Sequence, residues 1–262
     1  MAVAERPGWR AGVERKSPRE LTIMRDAGKI AALALAEMKA RLKPGITTRQ
    51  LDAIAEKVIA QHNARPAFKG YPGPYPYPAV TTISVNEQMV HGIPGSRVIR
   101  EGDLVSLDCG VFYQGFYADN AISLGVGRVT SDVERLLTVT EQALYVGIDQ
   151  ARVSNRVGDI SAVIQQCVES AGYHLANGYT GHGVGRSMHE DPEVPNIGNA
   201  GAGRLLRPGM VIAIEPMVIV GTTETETLAD QWTAVSADGS LTAHFEHTVA
   251  ITLAGPEILT RL

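Results

Sequence analysis

Apolar residues recur every three or four positions in separate stretches of the chain, a spacing that predicts amphipathic helices. The first predicted helix has Ser17 as its N-cap and Pro18 at its first position, and Pro44-Gly45 ends it. A second helix begins near Thr47 or Thr48. A third follows the segment NRVGD. Its spacing is carried by three apolar positions: Ile160, Val163 and Cys167.

Strand-like runs also repeat. VIREGDLVSLD, which ends at Asp108, matches LLRPGMVIAIE, which ends at Glu215, in its Arg, its Gly and its terminal acid. Asp119 and Glu246 form a second pair, because each acid heads an apolar run that ends in Gly. Chance repetition among strand-rich segments is the alternative explanation. We expect two related halves within one domain.

These patterns define the predicted organisation. Residues 1–16 form a short N-terminal extension, and residues 17–262 form a single domain whose halves cover about 17–128 and 129–262. Helix pairs followed by antiparallel strands predict an α+β fold with helices covering one face of a curved sheet. SADGS contains an Asp-Gly turn, which predicts a hairpin between WTAV and LTAHFEHTVAI.

Composition narrows the function classes. The 262 residues are 44% apolar and carry a net charge of -4. Lys and Arg are scattered and form no basic stripe, which argues against direct binding of nucleic acid. The longest apolar run, IAALALAEM, is too short to span a bilayer, and the N-terminus lacks an apolar signal region. Cys109 and Cys167 lack a CxxC spacing, which argues against a disulfide framework. We therefore expect a cytoplasmic protein without a membrane partner.

Two aspartates end the strands of one predicted hairpin. A turn centred between Tyr113 and Gln114 predicts Asp108 directly opposite Asp119, with Cβ atoms roughly 5 Å apart. Two carboxylates that close must share a proton or bind a cation. Alternatively, the hairpin lies at the surface and water solvates both carboxylates. The apolar run DLVSLD and the matching acids of the other half favour a bound cation instead.

Further ligands follow from similar placements. Glu215 ends the apolar run MVIAIE, a costly position for an unpaired charge, and Glu246 faces opposite to Phe245 and His247. His182 lies among glycines that allow close approach of a ligand. Four carboxylates and one imidazole suit two ions of Mn, Fe(II), Co or Zn, and such a pair favours hydrolysis. Three other histidines are interpreted as structural: His174, His244 and His247.

This constellation resembles type I methionine aminopeptidases. The resemblance rests on the four acids and one histidine in order, together with NEQMVHGIP, GHGVG and EHT, and covers about Ser17 to Leu262. It implies the pita-bread fold with a pseudo-two-fold repeat. It also implies removal of the initiator methionine from nascent polypeptides when the second residue is small. A monomer and an association with the ribosome are further expectations.

The resemblance also implies roles for residues of this chain. Asp108 would bind one metal, His182 and Glu215 the other, and Asp119 and Glu246 both. Glu215 would also handle the proton of the attacking water, and His189 and His91 would contact the scissile carbonyl and amide. The methionine side chain would lie among six residues: Phe68, Tyr71, Thr82, Met188, His91 and Trp232.

Some positions depart from the family pattern, and other functions stay open. Asn120, Thr82 and Met188 stand where the family commonly has Ser or Thr, Cys and an aromatic, and the loop GYPGPYPYP is longer than usual. That loop is either a surface turn or a part of the substrate site. The alternatives are an Xaa-Pro aminopeptidase or prolidase, a pita-bread binding module without catalysis, and a non-enzymatic metal-binding protein.

Overall fold

Helices pack against a large, mainly antiparallel sheet in the computed structural model, which describes residues 8–262. Ser17 and Thr47 each cap a helix through a capping box with the residue three positions on, Glu20 and Gln50. The predicted starts of the first two helices are therefore confirmed. The helices are α1 (Pro18–Arg41), α2 (Thr48–Gln61), α3 (Ser131–Gln150) and α4 (Val157–Ser170).

The strands are short. Those before α3 are β1 (Trp9–Arg10), β2 (Arg65–Pro66), β3 (Thr82–Val85), β4 (Gln88–Val90), β5 (Leu104–Asp108), β6 (Val111–Tyr113), β7 (Phe116–Ala118) and β8 (Asn120–Gly125). Those after α4 are β9 (His174–Leu175), β10 (Thr180–Gly183), β11 (His189–Pro195), β12 (Val211–Ile214), β13 (Met217–Ile219), β14 (Thr225–Thr227), β15 (Ala234–Ser236), β16 (Thr242–His244), β17 (Glu246–Thr252) and β18 (Gly255–Ile258).

The large sheet joins strands from both halves. Its order is β1-β11-β10-β12-β17-β8-β5-β3, and β18 pairs with β17. The pair β1–β11 is parallel, whereas the other pairs of this sheet are antiparallel. Three smaller sheets, β16-β13-β9, β14-β15-β4 and β2-β6-β7, lie around it. The central strands β12-β17-β8-β5 bring the two halves together.

Two apolar clusters form most of the core. One packs α1 and α2 against β3 and β5 through residues such as Leu35, Leu51 and Leu107. The other packs α3 and α4 against β12 and β17 through residues such as Leu144 and Ile212. Burial of these side chains drives the folding of each half against its own strands.

Matching contacts recur in the two halves. An isolated bridge joins Thr47 to Val98 before α2, and another joins Arg156 to Leu205 before α4. Each bridge ties the start of a helix to the chain before a central strand. The division into two repeats, residues 17–128 and 129–262, stays a prediction. The two bridges agree with it.

The predicted pairing of Asp108 with Asp119 is wrong by two residues. Asp108 lies opposite Ala121, because the turn is centred between Gln114 and Gly115. Both turn residues have positive φ, 47° and 92°, the backbone of a two-residue I′ hairpin turn, and glycine adopts it without steric cost. A shift of two residues leaves each side chain on the same face of the sheet.

The predicted hairpin around SADGS is also wrong. Gly239 donates to the Ser236 carbonyl, so the turn exists, but β15 pairs with β14 and β4 whereas β16 pairs with β13. The run LTAHFEHTVAI is divided at Phe245, where the chain passes from β16 into β17 of the large sheet. The sequence SADGS determines only the local turn. Pairing with strands that are distant in the sequence determines which sheet each flanking strand joins.

Residues 8–262 contain no helix that combines the length and the apolar character needed to cross a membrane.

Candidate metal and peptide site

The predicted acids meet where the central strands of the large sheet lie side by side. Ala121 on β8 is in register with Asp108 on β5 and with Glu246 on β17. Side chains in register on adjacent strands point to the same face, so both carboxylates face the same side. Ile214 pairs with His247, and one further step along β12 places Glu215 opposite Glu246. The sheet register alone thus brings together acids from both halves.

The carboxylates are buried and crowded. Asp108, Asp119 and Glu246 are at most 7% exposed. Burial raises the pKa of Asp119, and burial followed by the negative charge of Asp119 raises the pKa of Asp108, Glu215 and Glu246. Among the described residues Asp108 Oδ1 and Glu246 Oε1 have no hydrogen-bond partner. Such a cluster needs protons or cations to neutralise it.

The donor atoms fit divalent metal ions. One atom each from Asp119, His182 and Glu246 lie within 4.8 Å of one another, and so do atoms from Glu215, His244 and Glu246. Carboxylate oxygens with imidazole nitrogens suit Mn, Fe, Co or Zn. The two groups share Glu246.

His182 comes from β10, where two glycines let the neighbouring strands approach. A Cβ on Gly181 would lie 2.4 Å from the Ala213 carbonyl oxygen, and one on Gly183 would lie 2.3 Å from that of Asp191. The Nδ1 of His182 is 3.0 Å from the Gly183 carbonyl oxygen, and its Nε2 is 3.4 Å from Glu215 Oε1. Burial lowers the pKa of His182 to about 4, so the imidazole is neutral and suited to bind a metal.

His244 lies at the same site, although the sequence interpretation assigned it a structural role. Its Nε2 is 3.6 Å from Glu215 Oε2 and 3.9 Å from Glu246 Oε2. Neither ring nitrogen has a hydrogen-bond partner among the described residues. The signal that would have found it is the alternation of strand side chains: His244 stands two positions before Glu246 and shares its side. His247, by contrast, is satisfied, with its Nδ1 2.9 Å from Thr260 Oγ1.

His189 and His91 border the acids. The His189 ring lies 4.1 Å from the His182 ring, between centroids, and its Nδ1 is 2.6 Å from the Tyr71 hydroxyl. Burial, with the neighbouring His182 and His91, lowers the pKa of His189 well below its usual value. His91 has a φ of 60°, a left-handed backbone that is uncommon outside glycine and occurs at functional sites.

A cavity of about 290 Å³ opens onto these groups. It is lined by the five expected ligands, Asp108, Asp119, His182, Glu215 and Glu246, by His91 and His189, and by Phe68, Tyr71, Thr82 and Trp232. Met188, also expected there, is buried beside Phe68 and Gly110 and lines a neighbouring depression instead. Sequence reasoning missed several lining residues, among them Trp9, Tyr77, Val90, Tyr179, Met217 and His244.

The positions that depart from the family pattern have defined contacts. Thr82 donates a hydrogen bond of 3.2 Å to Asp108 Oδ2, so it orients one of the acids. The Asn120 backbone N–H donates to Asp119 Oδ1 at 3.0 Å. In the loop GYPGPYPYP, Tyr77 packs edge-on against Trp232 at 5.1 Å and lines the cavity. Of the two interpretations of this loop, the contacts therefore favour the one that places it at the site.

Comparisons with known proteins agree with this architecture. The sequence profile of metallopeptidase family M24 matches residues 22–253. The methionine aminopeptidase of Clostridium perfringens is 51% identical over 245 residues, which cover 94% of this chain and 97% of that protein. The crystal structure of a methionine aminopeptidase from Thermotoga maritima superposes with a TM-score of 0.93 at 44% identity, over 96% of this chain and 100% of that one.

A prolidase is a more distant neighbour. The prolidase from Pyrococcus horikoshii superposes with a TM-score of 0.76 at 25% identity, and this chain covers only 63% of it. The predicted α+β pita-bread fold and the resemblance to methionine aminopeptidases are confirmed. This chain belongs to metallopeptidase family M24.

Proposed function

We propose that this protein is a metal-dependent aminopeptidase that removes the N-terminal methionine from new polypeptides when the second residue is small. The observation that carries the proposal is one cavity that joins a buried carboxylate and imidazole cluster to a partly aromatic pocket. The full-length likeness to a methionine aminopeptidase, at 51% identity, supports the same activity over prolidase chemistry.

Two divalent ions would be held by the acids and His182. Asp108 would help to hold one ion, His182 and Glu215 the other, and Asp119 and Glu246 would serve both. The shared place of Glu246 in the two groups of donor atoms supports its part in this assignment, and the same groups set His182 beside Asp119 and Glu215 beside His244. Bound there, the ions would supply an activated water and polarise the scissile carbonyl. The choice among Mn, Fe(II), Co and Zn stays open, as do the predicted monomer and ribosome association.

The side chains around the acids bind and orient the peptide. His189 donates a hydrogen bond to the oxygen of the scissile carbonyl, where negative charge develops, and His91 contacts the scissile amide. Glu215 accepts the proton of the attacking water. In the metal-free protein, burial and the negative charge of Asp119 raise the pKa of Glu215.

The methionine side chain lies against aromatic and apolar surface. Phe68, Thr82, His91 and Trp232 line the cavity, and Tyr77 packs on Trp232. Burial of a methionine side chain contributes about 2 kcal/mol of transfer free energy. Thr82 fills one wall while its hydroxyl holds Asp108. The pocket therefore selects an unbranched apolar side chain at the N-terminus.

A peptide panel tests the function. Purified protein supplied with Mn or Co is expected to release methionine from Met-Gly and Met-Ala peptides and to leave Xaa-Pro peptides intact. Methionine release is measured by mass spectrometry, with metal-free protein as control. The opposite preference would move the protein to the prolidase group.

A further inference from the structure

Residues 8–16, named here the N-terminal segment, are fastened to the strand that carries His189. Trp9 and Arg10 pair in parallel with His189 and Glu190. Asp191 accepts hydrogen bonds from the Trp9 indole N–H at 3.0 Å and from the Gly12 backbone N–H at 2.7 Å. These contacts place a segment expected to be a mere extension directly beside the cavity.

A buried ion pair secures the other end of the N-terminal segment. Lys16 Nζ is 2.8 Å from Glu190 Oε2, and the two side chains are 2% and 0% exposed. The backbone N–H of Lys16 also donates to the Gly209 carbonyl. A buried ion pair is costly to break on one side, because the remaining charge is left without a partner. The N-terminal segment is thus held through residues 9–12, which contact β11, and again at Lys16.

Trp9 lies against the ring of His189. The two rings are nearly parallel, with centroids 5.8 Å apart and planes 22° apart, and Trp9 also meets the His182 ring edge-on at 6.3 Å. Trp9 itself lines the cavity. One face of the His189 imidazole is therefore covered by an indole that the N-terminal segment supplies.

Tyr71 holds the same imidazole by its edge. Its hydroxyl is 2.6 Å from His189 Nδ1, and its ring meets the His189 ring at 68° with centroids 5.2 Å apart. A hydroxyl that donates to Nδ1 fixes the proton of a neutral imidazole at Nε2. That nitrogen is then the hydrogen-bond donor of the ring.

We propose that Trp9 and Tyr71 are positioning residues for the reaction. Trp9 sets the plane of the His189 ring by stacking, and Tyr71 sets its tautomer by donating to Nδ1, so that Nε2–H points to the substrate carbonyl. The inference rests on the proposed function, which gives His189 its contact with the substrate. It makes the N-terminal segment a working part of the active site.

Kinetics of three variants test this inference on the Mn-loaded protein with a Met-Ala peptide. Tyr71→Phe and Trp9→Ala are expected to lower kcat roughly 10-fold with KM nearly unchanged, since loss of a whole oxyanion donor costs about 100-fold or more. Trp9→Phe retains a stacking ring and restores most of kcat. The matched control is Tyr145→Phe, an exposed tyrosine on α3 outside the cavity, which keeps the wild-type kcat.

Nitrogen NMR of the imidazoles gives a readout independent of turnover. In the zinc-loaded protein, His189 is expected to show a protonated Nε2 and an unprotonated Nδ1, and Tyr71→Phe is expected to lose this preference. Wild-type kcat in both Tyr71→Phe and Trp9→Ala, or an unchanged His189 tautomer in Tyr71→Phe, would overturn the inference. Failure of the wild type to release methionine would instead contradict the proposed function.

Discussion

The two halves of the molecule bring similar strands to the site, but the side chains that they contribute there differ. The half of residues 17–128 supplies Asp108 at the end of β5 and Asp119 just before β8. The half of residues 129–262 supplies Glu215 just after β12 and Glu246 at the start of β17. The second half contributes both imidazoles of the candidate donor groups, His182 and His244, whereas His91 of the first half borders the acids. The first half adds much of the pocket wall, including Phe68 and Thr82.

This difference shows how a symmetric frame supports an asymmetric reaction. The acids meet because register places them on one face of the central strands. The imidazoles give one side of the cluster neutral nitrogen donors, whereas the side of Asp108 has oxygen donors and a threonine hydroxyl. In the proposed function, both halves would therefore contribute metal ligands and both would contact the substrate.

The largest predicted effect concerns one acid from each half. Asp108→Asn and Glu246→Gln are each expected to lower methionine release at least about 100-fold, because both remove a ligand rather than a supporting contact. Metal content by elemental analysis should fall in both variants. Glu226→Gln, an exposed position on β14, is the matched control and should keep both properties. If only one of the two variants lost bound metal and activity, the acids of the two halves would not contribute alike to the site.

His244 tests whether the second half also contributes an imidazole to metal binding. His244→Ala is expected to weaken binding of added Mn²⁺ about 10-fold to 100-fold, since its imidazole contacts two of the carboxylates. Titration calorimetry measures the affinity. His174→Ala, on β9 and outside the cavity, provides the comparison and should bind Mn²⁺ as the wild type does. Equal affinities in all three proteins would return His244 to a purely structural role.

The acid cluster also predicts how stability depends on pH. Burial raises the pKa of Asp119 to about 7, and raises those of Asp108, Glu215 and Glu246. The native metal-free protein thus binds more protons than the unfolded chain, and its stability falls as pH rises through these raised values.

Above about pH 7.5, one unit beyond the usual histidine pKa of about 6.5, the histidines are nearly all neutral in both states, so the carboxyls decide the slope. The free energy of unfolding of the metal-free protein is expected to fall between about pH 7.5 and 8.5, by roughly 1.4 kcal/mol per pH unit for each proton that the native state holds in excess of the unfolded chain. Thermal unfolding measures it. Added Mn²⁺ should flatten the dependence, and a metal-free protein whose stability rises over that range would contradict the account.

The smallest predicted effect compares the helix starts of the two halves. Thr47 caps α2 with its side chain, whereas Arg156 at the start of α4 has no side-chain cap. Thr47→Ala is expected to cost about 1 kcal/mol of unfolding free energy, and Arg156→Ala less, measured by urea unfolding. Equal costs would show that the caps do not differ in strength.

Much of this could be predicted because the signals are local or repeated. Helix caps at Ser17 and Thr47 act within one turn, and acids that end apolar runs are conspicuous in the sequence. The family resemblance supplied the ligand order. The register of Asp108 required the positive φ of Gln114, which no side-chain pattern signals.

What escaped prediction depends on contacts between distant segments. Trp9 reaches His189 because β1 pairs with β11, and Met188 packs beside Gly110 and lines the neighbouring depression. His244 was interpreted as structural because the sequence does not show that β16, which carries it and pairs with β13, passes beside the acids. Tertiary pairing decided each of these positions.

The most direct test is to count bound metal and methionine release on the same sample. Metal-free protein is titrated with Mn²⁺, bound ions are measured by elemental analysis, and a Met-Ala peptide reports activity. We predict that release rises with bound Mn²⁺ and reaches its maximum at about two ions per chain, as expected for a site of paired metals. Full activity in the metal-free protein would contradict the claim that the two halves together hold the metals of the reaction.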